Sequence, residues 1–159
     1  MLAKPNTAEI LGAQMFLRVL GANYKNTYMI KAVIAWFRQE SGGVSKVIHN
    51  NPFNIRPGAM SKYSNGTWEG RVGIFLSFST LPKGFAAAAM LLKRLAPSYG
   101  YGTVIKAAQG GNAGRFLGAI ALSSWDGSHY GVNILYKEQA YTTKNHLRAL
   151  YNQIPLPVI

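Results

Sequence analysis

The chain contains no cysteine, which removes several classes of protein from consideration. Without thiols there is no disulfide framework and no thiolate nucleophile, and a zinc site would have only histidine and carboxylate ligands. No stretch reaches the ~18 apolar residues of a membrane-spanning helix. The N-terminus lacks the uninterrupted apolar core and small-residue cleavage site of a signal peptide. We therefore expect synthesis in a cytoplasm without a signal peptide, with delivery by other components if the target lies outside the membrane.

Acidic residues are scarce. The chain has five aspartates and glutamates and 17 lysines and arginines, which gives a formal charge of +12 and a pI near 10.1. Such an excess favours a polyanionic partner: nucleic acid, an anionic membrane surface or a bacterial wall. The basic residues are scattered, without a run of five and without alternating aromatics, so no specific nucleic-acid motif is indicated. Any acid–base mechanism must draw on Glu9, Glu40, Glu69, Asp126 and Glu138.

Other catalytic signatures are also missing. There is no Gly-x-Ser-x-Gly motif for a serine nucleophile, and no glycine-rich phosphate loop follows a predicted strand. The three histidines, His49, His129 and His146, are far apart in sequence, and Asp126 with His129 is the one local pair. We therefore expect neither a metal nor another cofactor.

The apolar pattern predicts a mainly α protein of the α+β type. A length of 159 residues and 48% hydrophobic content suit one domain, which we place at residues 1–154, with residues 155–159 as a tail or the start of a linker. We expect about seven helices around a buried central helix, and one small β-hairpin lobe. The predicted helices include residues 6–20, 27–43, 103–109, 112–122 and 134 onward, and another that follows Leu81-Pro82 and is ended by Pro97 and Gly100. Residues 62–78 form the predicted β region, with its turn at Asn65-Gly66, and a short strand is predicted at residues 54–56.

The central helix carries one acid on its apolar side. Met29, Val33, Trp36 and Glu40 are spaced by four, three and four residues, so they share a face. The glycines at 42 and 43 end the helix and place Glu40 in its last turn, at the negative end of the helix dipole. Both the apolar neighbours and the dipole favour the protonated carboxyl and predict a raised pKa, as a general acid needs. The alternative is a glutamate that reaches solvent and pairs with a nearby arginine, at position 38 or 56.

Cleavage of a glycosidic bond would use such an acid. It requires a protonated carboxyl at the leaving oxygen and often a second carboxylate that activates water or stabilises the oxocarbenium ion. Glu69 in the hairpin and Asp126 in the irregular stretch before the last helix are the candidate partners of Glu40. Glu9 and Glu138 lie in ordinary helices, and we interpret both as solvated surface charges.

Three motifs in order resemble the lysozyme-like superfamily, in particular phage endolysin or tail lysozyme and glucosaminidase domains and soluble lytic transglycosylases. They are Glu-Ser-Gly-Gly at 40–43, Asn-Pro-Phe-Asn at 51–54, and a hairpin leading to Phe-Leu-Ser-Phe-Ser at 75–79. The resemblance covers residues 29–136. It implies that Glu40 is the general acid and that the cleft binds sugar through Asn51, Phe53, Asn54, Trp125 and Tyr130. The alternative for the last two is that both are packing aromatics.

The chain departs from this family at the second carboxylate. The Glu, Asp and Thr spacing of phage lysozymes related to that of T4 is absent, and Glu69 does not fall where the glucosaminidase hairpin carboxylate is expected. A lytic transglycosylase needs only one acid, because the muramyl 6-hydroxyl attacks in place of water, so hydrolysis and transglycosylation both stay open.

The predicted function is cleavage of the glycan strand of bacterial peptidoglycan, as a bacteriolytic enzyme that acts alone or within a longer chain or virion. The basic charge would hold it to anionic wall polymers or the membrane surface. The alternative is an inactive basic helical module that binds cell wall or nucleic acid, or a structural component of a virion.

Overall fold

Six α-helices and one antiparallel hairpin form the regular structure of the described residues. The computed structural model describes residues 1–123, 125 and 134–159, and only the backbone of residues 45 and 134–140. The helices are α1 Thr7–Val19, α2 Thr27–Ser41, α3 Leu81–Leu95, α4 Tyr101–Gln109, α5 Ala113–Leu122 and α6 Ile134–Gln153, and the strands are β1 Gly66–Gly70 and β2 Gly73–Ser77. The predicted mainly α class with a small hairpin is confirmed. The expected seventh helix is not present in the described part of the chain, where the other helical segments are single 3-10 turns.

Side-chain caps explain where several of these helices begin. The Asn6 side-chain oxygen accepts a hydrogen bond from the Glu9 backbone N–H, and the Glu9 carboxylate accepts one from the Asn6 backbone N–H. These two bonds form a capping box at the start of α1. Asn26 caps α2, Thr80 caps α3 and Asn112 caps α5. In each case the side-chain oxygen accepts a hydrogen bond from a backbone N–H in the first turn. The capping residues of α1, α2 and α5 lie within one residue of the predicted helix starts, whereas α3 begins earlier than predicted, at Leu81, because Thr80 caps it.

Helix α2 lies at the centre of the protein. It packs against α1, α5 and α6, and eight of its residues are buried. Gly42 takes the left-handed conformation, with φ of 76°, and its N–H bonds to the Arg38 carbonyl, so the helix ends about one turn after the buried residues Trp36 and Phe37. The prediction of a buried central helix is confirmed, and Glu40 lies in its last turn, half-buried.

The hairpin differs from the prediction in its turn. Gly70 pairs with Gly73, so the chain reverses at Arg71 and Val72, and Asn65 instead precedes β1, where its N–H bonds to the Ser77 carbonyl. The predicted Asn65-Gly66 turn is therefore wrong, because Gly73 supplies a backbone conformation with φ of 136°, and Gly70 leaves room for the Trp68 ring, which would lie 2.8 Å from a β-carbon there.

The face pattern of β2 is also irregular. Val72 and Ile74 are exposed, at 69% and 53%, whereas the adjacent residues Phe75 and Leu76 are both buried. Leu76 faces the core and Phe75 is covered by Trp68 of β1, so both faces of β2 are covered at this point. The predicted strand at residues 54–56 is not a strand, although the Ile55 carbonyl accepts a bond from the Leu76 amide.

Glu9 is not a solvated surface charge. Its side chain is 2% exposed and accepts two bonds from the Arg38 guanidinium, Nε to Oε2 at 2.8 Å and Nη2 to Oε1 at 2.9 Å. The third Arg38 nitrogen bonds the Ala3 carbonyl at 2.8 Å. This is the one ion pair among the described side chains. It joins α1 and the N-terminal segment to the central helix, and it directs Arg38 toward Glu9.

The two ends of the chain meet. The Leu2 amide bonds the Gln153 carbonyl at 3.0 Å, and Ile154, after the end of α6, is buried in the core. None of the helices in the described part of the chain has the length and apolar character to cross a bilayer.

Candidate functional site

A cavity of about 520 Å³ opens between the end of α2, the loop before the hairpin and the hairpin itself. Four of the predicted site residues line it: Glu40, Phe53, Asn54 and Trp125. Of the other two, Asn51 is not among the lining residues, and Tyr130 lies outside the described residues. We call this cavity the cleft. Its other lining residues are Ile48, Arg56, Trp68, Arg71, Val72 and Phe75.

Glu40 is held at the cleft by the end of its helix. It is half-buried and follows directly after the buried run that ends at Phe37. The Asn54 side-chain amide donates to the Glu40 carbonyl oxygen at 3.2 Å, which ties the loop to the last turn of α2. Asn54 itself has φ of 56°, a left-handed conformation that asparagine tolerates better than most residues. Glu40 is the one carboxylate among the described residues that line the cleft.

Asn51 lies behind the cleft and holds the loop together. It is 3% exposed, and its side-chain nitrogen donates to the carbonyls of Ile55 and Leu76, both at 2.9 Å. Its side-chain oxygen accepts from the Ile55 amide at 2.9 Å. All three hydrogen bonds join the Asn51 side-chain amide to backbone groups. We therefore assign Asn51 the role of positioning the wall that carries Phe53 and Asn54.

Phe53 joins the cleft to the aromatic core. Its ring lies 4.2 Å from that of Trp36 and 5.1 Å from that of Phe85, measured between centroids, and the residue is 2% exposed. Trp125 packs edge-on against Trp36 at 5.2 Å but keeps part of its surface exposed. Phe53 thus supports the cleft from behind, whereas Trp125 combines core packing with a surface that faces the cleft.

Trp68 is a cleft residue that sequence reasoning missed. Its ring stacks on Phe75 with centroids 5.1 Å apart and planes at 26°, and the His49 ring lies 5.4 Å away. The available signal was its position in the hairpin next to Glu69. Adjacent residues of a strand point to opposite faces, so one of the two had to face the cleft. The structure places Trp68 there, and Glu69 is exposed and is not among the lining residues.

Two arginines also line the cleft, and the sequence analysis named only one of them, Arg56, as a possible partner of Glu40. Arg56 donates from Nη2 to the Val72 carbonyl at 3.2 Å and lies over the Phe75 ring, with Cζ 4.9 Å from its centroid. It occupies the space beside Gly73, where a β-carbon would lie 2.5 Å from Nη1. Arg56 thereby fixes the hairpin turn, and Arg71 within that turn brings a second cation to the cleft.

Tyr101 supports Trp125 from the helical side. The two rings lie 6.1 Å apart, and Tyr101 is 5% exposed. Burial, followed by the neighbouring Tyr99 hydroxyl, raises the pKa of Tyr101 to about 12. Its side chain is therefore neutral over the physiological range.

Among the described residues, no three histidine, aspartate or glutamate side chains lie close enough together to hold a metal ion. Asp126, the other candidate partner of Glu40, lies outside the described residues. A scan against protein-family models and searches of curated proteins and of solved structures found no match to this chain.

Proposed function

We propose that the protein cleaves the glycan strand of bacterial peptidoglycan, with Glu40 as the general acid. The observation that carries the proposal is the position of Glu40 at the end of the buried helix, in a cleft that also holds Asn54 and two tryptophans. A carboxyl group in that setting can deliver a proton to the glycosidic oxygen as the bond to the anomeric carbon breaks.

The remaining cleft residues suit an amino-sugar polymer. Trp68 and Trp125 offer flat apolar surfaces on which sugar rings can stack, and the side-chain oxygen of Asn54 can accept a bond from a hydroxyl or N-acetyl N–H. Arg56 and Arg71 place positive charge beside these surfaces, which suits the carboxylates of the peptide stems attached to muramic acid.

Two mechanisms fit one carboxylate at the cleft. In transglycosylation, Glu40 protonates the leaving oxygen, and the muramyl 6-hydroxyl of the same sugar closes an anhydro ring after giving up its proton to the Glu40 carboxylate. In hydrolysis, water attacks instead and a second carboxylate assists. Asp126 is the residue to test for that second role, since Glu69 is not among the residues that line the cleft.

The test is digestion of purified peptidoglycan by the wild-type chain and by Glu40→Gln, with products identified by mass spectrometry. Loss of the proton donor is expected to lower the rate by about 10²–10⁴-fold. Glu69→Gln is the matched control, with the same chemical change on an exposed residue, and should keep the wild-type rate. Circular dichroism melting curves would show that both variants fold.

Each outcome has a distinct meaning. Products with a 1,6-anhydro muramyl end identify a lytic transglycosylase, whereas reducing ends identify a hydrolase, and the terminal sugar names the bond. Full activity in Glu40→Gln would overturn the assignment of Glu40 as the general acid. If activity were lost only in Asp126→Asn, the general acid would be Asp126. An absence of products from the wild-type chain would favour the inactive binding or structural alternative.

A further inference from the structure

A second cavity, of about 500 Å³, lies among α4, α5 and α6, and none of the residues that line it lines the cleft. Four cationic side chains line it, and no acidic residue is found among the described residues of its wall. Lys106 comes from α4, Arg115 from α5, and Lys144 and Arg148 from α6. We call it the basic cavity. Glycan cleavage at Glu40 makes no use of it.

This concentration of charge has no compensation from the described side chains. Lys144 and Arg148 are four residues apart on α6, a spacing at which like charges repel across one helix face. The one ion pair among the described side chains joins Glu9 and Arg38, and neither residue lines the basic cavity. An anion from outside the protein would relieve the repulsion.

Lys144 packs closely against α5 at the basic cavity. Gly114 and Gly118, one turn apart on α5, leave part of the helix surface without side chains. Lys144 lies across this surface and is half-buried, and a β-carbon at Gly118 would be 3.5 Å from its Cε and 3.9 Å from its Nζ. The ammonium group is therefore held at the cavity.

The first turn of α5 adds to the positive potential of the basic cavity. Asn112 and Gly114 line its wall, so the positive end of the α5 dipole lies at the cavity. The Asn112 side-chain oxygen accepts from the Arg115 amide at 2.9 Å, which fixes the start of the helix and the position from which Arg115 projects.

We propose that the basic cavity binds the phosphodiester groups of a polyol-phosphate strand, the chemistry of anionic bacterial wall polymers. Guanidinium groups pair with phosphate through two parallel bonds, and the lysines add point charges to the same strand. No aromatic side chain is present among the described lining residues, so the cavity lacks the stacking surface that single-stranded nucleic acid uses. Cations in the wall of a cavity suit a group that enters it, whereas a bilayer presents a planar surface. The assignment of the ligand to a wall polymer rests on the proposed function. The assignment to a phosphodiester rests on the cavity alone.

The test measures binding of a fluorescently labelled oligo(glycerol phosphate) to the full chain by anisotropy. The double variant Arg115→Gln/Lys144→Gln should bind at least about tenfold more weakly, because two charge-assisted contacts are lost. The matched control is Arg18→Gln/Lys25→Gln, the same change of charge on exposed residues that line neither cavity, and it should bind within about twofold of wild type. Equal weakening in both variants would show adsorption by net charge alone and would overturn the proposal.

Two further ligands separate the classes of partner. Oligothymidylate and vesicles with phosphatidylglycerol are titrated under the same conditions. Tighter binding of either one, lost in Arg115→Gln/Lys144→Gln, would overturn the assignment to a wall polymer. If loss of the contact between Lys144 and Gly118 prevents folding, Lys106→Gln/Arg148→Gln provides the same comparison with two exposed side chains.

The outcome is independent of glycan cleavage. Digestion of peptidoglycan stripped of phosphate polymers should proceed at the wild-type rate in Arg115→Gln/Lys144→Gln, because neither residue lines the cleft. Polymer binding with no cleavage by the wild-type chain would support the basic cavity and overturn the lytic proposal. Cleavage of peptidoglycan, together with equal polymer binding by the two double variants, would support the lytic proposal and overturn the assignment of the basic cavity.

Discussion

Two asparagines three positions apart have opposite environments. Asn51 is buried and makes three bonds to backbone groups, whereas Asn54 is exposed and makes one, to the carbonyl of Glu40. The first holds the loop closed, and the second faces the cleft. Their contributions should therefore separate into stability and activity.

We expect Asn51→Ala to lower the free energy of unfolding by about 2–4 kcal/mol, because the buried Ile55 amide and Leu76 carbonyl lose their partner. Asn54→Ala should cost about 1 kcal/mol or less, since water can replace its bond. Urea denaturation followed by circular dichroism measures both. An equal loss of stability in the two variants would contradict the roles assigned here.

The sequence did not distinguish these two residues, for a physical reason. Burial of Asn51 is set by the Leu76 carbonyl, 25 positions away, and no local pattern predicts that contact. Glu9 presents the same difficulty, since its partner Arg38 lies 29 positions along the chain on a different helix. By contrast, Glu40 was predictable, because the helix period and the glycines that follow it are local features.

At the scale of whole elements, sequence reasoning succeeded where local chemistry decides. Helices α1, α2, α3 and α5 begin at or next to residues that cap them with their own side chains, and their apolar periods match the buried faces. The hairpin turn was misplaced because Asn-Gly is a strong turn signal and was given more weight than the Gly-Arg-Val-Gly segment at 70–73. Arg56, which stabilises that turn, comes from the preceding loop and could not be anticipated.

The junction between α3 and the cleft loop supplies an element-scale prediction. A β-carbon at Gly84 would collide with the Asn50 carbonyl oxygen and lie 2.5 Å from Pro52 Cδ. Gly84→Ala should therefore destabilise the protein by about 1–3 kcal/mol, despite the higher helix propensity of alanine. Thermal unfolding measures the change.

Gly102→Ala on α4 is the matched control, because its nearest neighbour, Pro97 Cα, would be 3.6 Å away, at ordinary contact distance. It should be neutral or stabilising by up to about 1 kcal/mol. A stable Gly84→Ala variant would show that α3 and the loop do not pack as closely as described.

At the scale of the whole molecule, alkaline pH should weaken the fold. Burial raises the pKa of Tyr101 from 10.0 to about 12 and also raises that of Tyr151. The folded state then keeps protons that the unfolded state releases, so stability is full below pH 10 and falls as pH rises toward 12. Burial lowers the pKa of Lys31, which favours the folded state as pH rises and partly opposes the tyrosines.

Tyr101→Phe should reduce this loss, because phenylalanine has no proton to release in the unfolded state. Urea denaturation at pH 9 and pH 11.5 gives the difference in free energy for wild type and variant. If the free energy of unfolding changed equally between the two pH values in wild type and variant, a raised pKa for Tyr101 would be contradicted. Tyr141→Phe, at a residue that is 68% exposed, serves as the control for the loss of a tyrosine hydroxyl.

The arrangement of aromatic residues has an optical consequence. The chain has three tryptophans: Trp68 and Trp125 line the cleft, and Trp36 packs against Trp125 directly behind it. Almost all intrinsic emission excited near the red edge of protein absorption therefore originates at this one place. The protein therefore carries a built-in, label-free fluorescence reporter of its cleft.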